Sequence, residues 1–303
     1  MKIISQIENI KNSFSGKITY GETLSKLSWF NIGGEAEILF RPNNMKELSF
    51  FLKEVKNIKN IKVLGAGSNT LVRDGGFNGI IIKFGKSFSH ISLFNQNTII
   101  AGAAAFDKSV SKFALEKSIT GLEFLSCIPG TIGGAVSMNS GCYGDDISKI
   151  LVSVQAMDLN GNIRIIKASD INFFYRGSNL DPNLIFISAT FKGLNEDSKK
   201  IEKKIDDFIN RKKNTQPSKI KTCGSTFKNP LGKKAWMLIK ESGCAGMKVG
   251  DAEISEKHCN FFINNGKAKS DDLEKLITHV QKKVLAKTGI NLELEIKIIG
   301  KKK

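Results

Sequence analysis

The sequence is poor in the residues that build metal sites and disulfide frameworks. Among its 303 residues are only three histidines and five cysteines, an odd number with no C-x-x-C pair. Metal-ligand spacing is absent, so no metal site is expected. An even disulfide framework is impossible, which is typical of a protein from a reducing compartment.

Long apolar runs are also missing. No stretch approaches the roughly 20 apolar residues that a membrane-spanning helix requires. The N-terminal stretch MKIISQIENIKNSF interrupts its apolar residues with polar ones, so it does not predict a signal peptide. With 41% hydrophobic and 25% charged residues, the composition is that of a folded protein. A cytoplasmic monomer without membrane insertion is expected.

Acidic residues are scarce beside basic ones. The chain has 46 Lys and Arg against 29 Asp and Glu, a formal net charge of +17. Such an excess suits nucleic acid or an anionic small substrate. The alternative is a genome biased towards Lys, Ile and Asn codons. No nucleic-acid-binding motif accompanies the charge, so no nucleic acid is expected among the partners.

Helical and strand patterns are mixed along the whole chain, which predicts an α+β protein. Apolar spacing predicts helices over 45–57, 106–118, 197–213 and 270–288. Gly121 is expected to close the second helix, and Ser270 is expected to be the N-cap of the last.

Strands are predicted at 61–64, 80–82, 184–191 and 291–299. The dipeptide Asn160-Gly161 lies between two β-rich runs and predicts a hairpin turn. The composition changes after Gly193, where a charged amphipathic helix begins, so a domain boundary is expected there.

Two glycine-rich stretches are candidate anion or cofactor sites. The first, GAGSN, covers residues 65–69 after a predicted strand; by itself it indicates either a tight turn or a phosphate cradle. It does not predict a Rossmann domain, because Gly75-Gly76 follows before a crossover helix can form. The second, IPGTIGGAVSMNSGCYGDD, covers 128–146. Together they favour a bound dinucleotide.

These stretches also carry a family resemblance. WFNIGGEAE, VLGAGSNTLVRDGGFNGIII and FLSCIPGTIGGAVSMNSGCYG resemble the FAD-binding half of the MurB family, the UDP-N-acetylenolpyruvoylglucosamine reductases. FFYRGS, CGSTFKNP, AWMLIKESGCAGMKVGDAEISEKHCNFFIN and LELEIKIIG follow in the family's order. The resemblance covers essentially the whole chain, and the combination of motifs is specific.

The resemblance implies the fold shared by vanillyl-alcohol oxidase and p-cresol methylhydroxylase for an FAD-binding domain over 1–194, with subdomains of roughly 1–84 and 85–194. A substrate-binding α+β domain would occupy 195–303, its last strand, 291–299, returning towards the flavin. The implied reaction is NADPH-dependent reduction of UDP-N-acetylenolpyruvoylglucosamine to UDP-N-acetylmuramate through non-covalent FAD, in peptidoglycan precursor synthesis.

The resemblance also implies roles for single residues. Arg176 would stabilise the enolate formed after hydride transfer from flavin N5, and Ser225 would donate the proton. Glu293 and Glu295 share one face of the predicted last strand, so periodicity alone does not choose between them. The family pattern places Glu295 at the catalytic position. Cys223, in the same CGSTFKNP segment as Ser225, has no implied role, and that segment is expected to form a turn.

The remaining implied residues bind ligands. Those expected to bind FAD are Gly65, Ala66, Gly67, Ser68, Asn69, Pro129, Gly130, Thr131, Gly133, Gly134, Ala135, Asn139, Gly141 and Gly144. Those expected to contact the UDP-sugar substrate are Tyr175, Arg211, Lys228 and Asn229.

One departure concerns the interval between the two motifs. Arg176 and Ser225 are 49 positions apart, and no tyrosine lies between them. The chain therefore resembles the shorter branch of the family, which lacks a tyrosine-bearing insertion. Two alternatives stay open at this level, another flavoenzyme of the same fold and a basic binding module without catalysis.

Overall fold

The computed structural model describes residues 2–58 and 60–303. Helices α1–α7 are Lys2–Ile10, Met45–Glu54, Asp107–Glu116, Ile132–Ser137, Ser198–Thr215, Ala235–Glu241 and Ser270–Thr288. Strands β1–β10 are Lys17–Thr23, Glu35–Arg41, Ile61–Val63, Thr70–Val72, Phe77–Ile82, Ile91–Asn95, Thr98–Gly102, Ile119–Thr120, Gly141–Cys142 and Asp145–Asp146. Strands β11–β20 are Leu151–Met157, Ile163–Lys167, Phe173–Phe174, Gly177–Ser178, Ile185–Lys192, Leu194–Asn195, Lys248–Val249, Ala252–Ile254, Phe262–Asn264 and Lys297–Ile299.

The chain forms two compact units that do not follow a single cut of the sequence. Unit 1 comprises 1–19, 38–66 and 79–212, and unit 2 comprises 20–37, 67–78 and 213–303. Strands β1, β2 and β5 contribute residues to both units. The two units are groups of residues that pack together, whereas the expected domains are segments that bind FAD or substrate. The domains 1–194 and 195–303 therefore stay a prediction.

Two sheets form the framework of unit 1. An antiparallel sheet has the order β12–β11–β15–β7–β6, and the hairpin β11–β12 turns at Gly161 with φ of +79°. This hairpin is the predicted one. In the sheet ordered β1–β2–β5–β3, strands β3 and β5 pair in parallel, with Val63 opposite Ile82. Residues that follow β3 and β5 therefore leave at the same edge.

Two hydrophobic cores fill unit 1. One packs α3 and α4 against the five-stranded sheet, with Phe124 and Phe191 fully buried in it. The other packs α2 against β2 and β5, where Phe40 stacks on Phe51 with ring centroids 4.0 Å apart. The helix predicted over 45–57 is α2, which begins after an N-cap, Asn44, that accepts from Glu47 N.

The predicted end of α3 is wrong. The helix stops at Lys117, whose N–H donates into the last turn, and Ser118 takes the left-handed φ of +56°. Gly121 lies beyond the short strand β8. The chain therefore leaves the helix at Ser118, and Gly121 lies in the turn that follows β8.

Unit 2 has one core, formed by α6, α7 and the small sheet β17–β18–β19. Helix α7 ends at Gly289 in the left-handed region, as its sequence predicts. Its predicted N-cap is wrong, because Ser270 is already helical and Lys269 is the cap residue. Ser270 instead donates its N–H and its hydroxyl to Asp74 Oδ2, at 2.8 Å each.

The predicted last strand, 291–299, is shorter than expected. Only Lys297–Ile299 form a strand, paired in parallel with β4. The preceding residues pair with a different stretch, since Lys228 N donates to Glu293 O and Glu295 N donates to Thr226 O. A change of partner between 295 and 297 interrupts the ladder, which alternation in the sequence does not reveal.

Asp74 is expected to hold the N-terminus of α7, because its carboxylate accepts two hydrogen bonds there. Asp74→Ala should lower the free energy of unfolding by about 1–2 kcal/mol, the usual cost of losing a helix cap. Urea denaturation measures this. Asp206→Ala, at an exposed position in α5, is the control and should change stability by less than about 0.5 kcal/mol. Equal losses in the two variants would contradict the capping role.

Candidate functional site

The start of the first glycine-rich stretch meets the second stretch inside unit 1, although some 60 residues separate them in sequence. A Cβ at Gly65 would lie 2.8 Å from Thr131 Oγ1, so only glycine permits this approach. Lys83 Nζ donates to the Gly65 carbonyl and fixes the start of the first stretch. The two stretches therefore form parts of one surface.

Helix α4 is docked by the second stretch. Ile132 N donates to Ala105 O and Gly133 N to Ala103 O, both at 2.9 Å. A Cβ at Gly133 would stand 3.0 Å from that of Ala103, which explains the glycine. These two amides are occupied, so the N-terminus of α4 offers fewer donors to a ligand than the sequence suggests.

Unpaired amide donors are found instead in the first stretch. Across the described residues, the backbone N–H groups of residues 65–68 donate to no protein acceptor. Consecutive amides in such a turn form a concave donor surface that suits a phosphate oxygen. The residues present therefore fit the pyrophosphate of a dinucleotide.

Arg176 is fixed beside the second stretch. Its backbone has φ of +61°, and one of its guanidinium nitrogens donates to Gly141 O at 2.8 Å. The guanidinium carbon lies 4.9 Å from the ring centroid of Tyr175, which is exposed. Left-handed geometry costs a non-glycine residue of this size roughly 1–3 kcal/mol, which is typical of functional positions.

Asn139 and Arg211 are also in unit 1. The Asn139 side chain donates to Phe174 O and accepts from Ser148 N, so it ties the second stretch to the loop before Arg176. Arg211, on α5, lies 4.7 Å over the ring of Tyr143. Sequence reasoning missed Tyr143, although it stands between two of the predicted cofactor glycines.

The buried carboxyl of Asp107 is another residue that sequence reasoning missed. It is 0% exposed, and neither carboxyl oxygen has a hydrogen-bond partner among the described residues. A Cβ at Gly130 would lie 2.6 Å from its Oδ2. Burial raises the pKa of Asp107 well above its usual value, so the carboxyl is held in its neutral form. No pattern in the sequence separates this aspartate from a surface one.

Unit 2 places Ser225 and Glu295 on neighbouring backbone stretches. Ser225 pairs with Phe261 on one side, and Thr226, the next residue, accepts from Glu295 N at 2.8 Å on the other. The segment CGSTFKNP bends at Gly224 and Thr226, and residues 225–227 are in addition paired with two partners. Gly224, with φ of +76°, turns the chain just before Ser225.

The two candidate glutamates differ in exposure. Glu293 is 74% exposed and pairs with Lys228 Nζ at 3.2 Å, whereas Glu295 is partly buried. Asn69 Nδ2 donates to Glu295 O at 3.1 Å and holds that backbone in place. The structure thus separates two residues that alternation alone leaves equivalent.

The other predicted substrate contact in unit 2, Asn229, has a structural bond as well. Its Oδ1 accepts from Ala235 N at 3.0 Å and so caps α6. Cys223, by contrast, is buried, and burial raises the pKa of its thiol to about 12. The thiol stays protonated at neutral pH, which excludes it as a nucleophile and agrees with its lack of an implied role.

Membrane and metal features are not found in the part of the chain that the structure describes. None of its helices combines the length and the apolar content that a membrane-spanning segment needs. The described residues also contain no cluster of three His, Cys, Asp or Glu side chains that could hold a metal ion.

Comparison with known families matches the chain in two parts. The family described as "UDP-N-acetylenolpyruvoylglucosamine reductase, C-terminal domain" matches residues 216–299, and the family described as "FAD binding domain" matches residues 36–167. The FAD-binding match contains both glycine-rich stretches, and the C-terminal match contains Ser225 and Glu295.

Individual proteins are similar over nearly the full length. The UDP-N-acetylenolpyruvoylglucosamine reductase of Pelagibacter ubique is 48% identical over 98% of this chain and 99% of its own. That of Rickettsia massiliae is 45% identical over 92% and 94%. The crystal structure of the Thermus caldophilus reductase, MurB, superposes with a TM-score of 0.82 at 29% identity, covering 94% of this chain and 99% of that one.

Asp107 predicts a pH dependence of stability. The pKa of Asp107 in the folded chain lies above the unfolded value of roughly 3.9. Its contribution to the free energy of unfolding is therefore fully present below pH 4 and is lost as pH rises through the raised pKa. Asp107→Asn keeps the shape without the ionisation. Its stability relative to the natural protein should therefore increase with pH, by up to about 1.4 kcal/mol per pH unit.

Urea denaturation of the two proteins from pH 4 to pH 8 measures this difference. Asp206→Asn, at an exposed position in α5, is the control and should show a flat difference. A flat difference for Asp107→Asn too would show that the buried carboxyl is ionised and paired in the folded chain.

Proposed function

Because the chain belongs to the UDP-N-acetylenolpyruvoylglucosamine reductase family of FAD-dependent oxidoreductases, we propose that it reduces UDP-N-acetylenolpyruvoylglucosamine to UDP-N-acetylmuramate with NADPH as the electron source. The family's reaction belongs to peptidoglycan precursor synthesis. The observation that carries the proposal for this chain is the pairing that places Ser225 and Glu295 on adjacent stretches.

FAD supplies the hydride that the enolpyruvyl double bond receives at its terminal carbon. The amides of residues 65–68 support FAD binding because they are donors without protein acceptors. The close contact of Gly65 with Thr131 supports a binding surface that includes both stretches. The proposed FAD ligands are the residues of these two stretches named from the sequence.

Arg176 is the proposed stabiliser of negative charge on the substrate carboxylate. A guanidinium stays protonated at any working pH and presents a planar set of donors to a carboxylate. Its bond to Gly141 O and its contact with the Tyr175 ring support this role, because they orient the group without neutralising it. A preorganised cation stabilises the enolate more than the neutral double bond.

Ser225 is the proposed proton donor. Its hydroxyl proton would pass to the carbon that bears the carboxylate, completing the addition of two electrons and two hydrogen equivalents to the double bond. A serine hydroxyl is a weak acid, but the enolate carbon is strongly basic, so the transfer is downhill. Backbone pairing on both sides of residues 225–227 supports the role by fixing the backbone from which the hydroxyl projects.

Glu295 is the proposed third catalytic group. Its partial burial supports a role in polarising the substrate carboxylate or relaying a proton, since a desolvated acid responds more strongly to nearby charge. Glu293 is a poorer candidate because solvent screens it and Lys228 pairs with it.

Substrate contacts complete the proposal. We assign Tyr175 and Arg211 of unit 1, and Lys228 and Asn229 of unit 2, to the UDP-sugar. The Tyr143 ring beneath Arg211 supports an orientation suited to phosphate, and the charge of Lys228 suits an anion once Glu293 is displaced. NADPH and nucleotide sugars are cytoplasmic metabolites, which supports the cytoplasmic location proposed from the sequence. We also propose that the protein is a monomer with domains 1–194 and 195–303.

Ser225→Ala separates the two halves of the reaction. Flavin reduction by NADPH should keep its rate, and reoxidation by UDP-N-acetylenolpyruvoylglucosamine should slow by about 100-fold or more, the usual effect of losing a proton donor. Stopped-flow absorbance of the flavin measures both. Ser218→Ala, at an exposed position shortly before the segment, is the control and should leave both rates within about threefold. Equal slowing of both halves by Ser225→Ala would contradict a proton-donor role.

The two glutamates provide an internal comparison. Glu295→Gln should slow reoxidation by about 10- to 1000-fold while leaving flavin reduction unchanged, because one preorganised charge is lost. Glu293→Gln removes an exposed charge at the neighbouring position and should change reoxidation by less than about threefold. The same stopped-flow experiment tests the pair, and a larger effect at residue 293 would reverse the assignment.

A further inference from the structure

A lysine with no acidic partner lies at the start of the first glycine-rich stretch. Lys83 is partly buried, and its ammonium group donates to the carbonyl of Gly65. Within the described chain no carboxylate pairs with it. A cation that is partly removed from water and bonded only to a neutral carbonyl loses hydration without gaining an ion pair. An anionic partner would offset this cost.

A second cation is nearby. The Lys83 backbone N–H donates to Phe40 O, so Arg41 stands on the neighbouring strand. Burial lowers the pKa of Lys83, and the positive charge of Arg41 lowers it further. Arg41 therefore repels the ammonium group of Lys83, and an anion bound to Lys83 would offset this repulsion.

The fold explains how Lys83 comes to face the glycine-rich stretch. Strands β3 and β5 are parallel, and Leu64 N donates to Ile82 O at 2.9 Å. The residues that follow, Gly65 on one strand and Lys83 on the other, leave the sheet at the same edge. Ligands of parallel sheets bind beyond the carboxyl ends of the strands, where these two residues lie.

The same edge carries the unpaired amides of Gly65 and Ala66. Amide donors and a partly buried ammonium group at one sheet edge are the chemistry that recognises a diphosphate. A flavin ring or a ribose would satisfy the amides but not the charge.

We propose that Lys83 is a binding residue for the pyrophosphate of FAD, which it reaches while holding the Gly65 carbonyl in place. One ammonium hydrogen stays on Gly65 and the other two are donors to the phosphate oxygens. The proposal rests on the proposed function only for the identity of the cofactor. Lys83 takes no part in hydride or proton transfer.

Flavin affinity of the full-length protein tests the proposal. The dissociation constant of FAD is measured from the rise of flavin fluorescence on dilution of the holoprotein, and that of riboflavin by fluorescence titration of the flavin-stripped chain. Lys83→Met keeps the length of the side chain and removes the charge. It should weaken FAD by about 10- to 100-fold, the effect of one charged hydrogen bond, and leave riboflavin, which has no phosphate, within twofold.

Two further variants complete the design. Lys83→Arg keeps the charge and should recover most of the affinity for FAD. Lys62→Met, at an exposed position of β3 in the same sheet, should bind FAD like the natural protein. Added KCl should weaken FAD binding more in the natural protein than in Lys83→Met. Unchanged FAD affinity in Lys83→Met, or equal loss of FAD and riboflavin, would overturn the proposal.

A measurement on the natural protein covers the case in which Lys83→Met does not fold. Trinitrobenzene sulfonate should label Lys83 in the flavin-stripped chain, and mass spectrometry of peptides locates the label. FAD should protect Lys83, whereas riboflavin should not; equal protection by both would overturn the proposal. Neither readout depends on turnover, so a protein that binds FAD through Lys83 but does not reduce the UDP-sugar would contradict only the proposed function.

Discussion

The double backbone pairing of residues 225–227 is the constraint on which the arrangement of Ser225 and Glu295 in unit 2 depends. One edge of this segment bonds to residues 260–261, where Thr226 N donates to Asn260 O and Asn260 also clamps Phe227. The other edge bonds to residues 293–295. A segment bonded on both edges has a fixed backbone, so the Cα atoms of Ser225 and Glu295 keep their relative positions.

In unit 1 the comparable constraint is close packing at glycine. Gly65 approaches Thr131, and Gly133 approaches Ala103, at distances that a larger residue could adopt only if its neighbour moved. These contacts bring two remote stretches together and use the amides of α4 internally. The donors left without acceptors are then those of residues 65–68. The distribution of glycine therefore decides which amides are available for a ligand.

Local pattern predicted the element types well, because helices α2, α3, α5 and α7 and the β11–β12 hairpin depend on apolar spacing, caps and turn residues. It failed where the decisive partner is remote. Ser270 is a good N-cap residue in isolation, yet Asp74, 196 positions away, takes its hydroxyl and the cap moves to Lys269. Likewise, residues 291–296 alternate like a strand, but their pairing with 226–228 ends before β20 begins.

The site residues named from the family motifs stay predictions, and the sequence does not show which side chains are buried. The net charge of +17 could not be assigned from the sequence to codon bias or to a ligand. The structure separates the lysines by environment. Lys83 and Lys212 are partly buried, and each donates to a backbone carbonyl at the start of a glycine-rich stretch, Gly65 and Cys127 respectively. A screened surface charge adds little to the binding of one ligand, whereas a desolvated ammonium beside unpaired amides adds a great deal. In the proposed function, anion binding would therefore depend on a few partly buried cations more than on the overall excess of lysine.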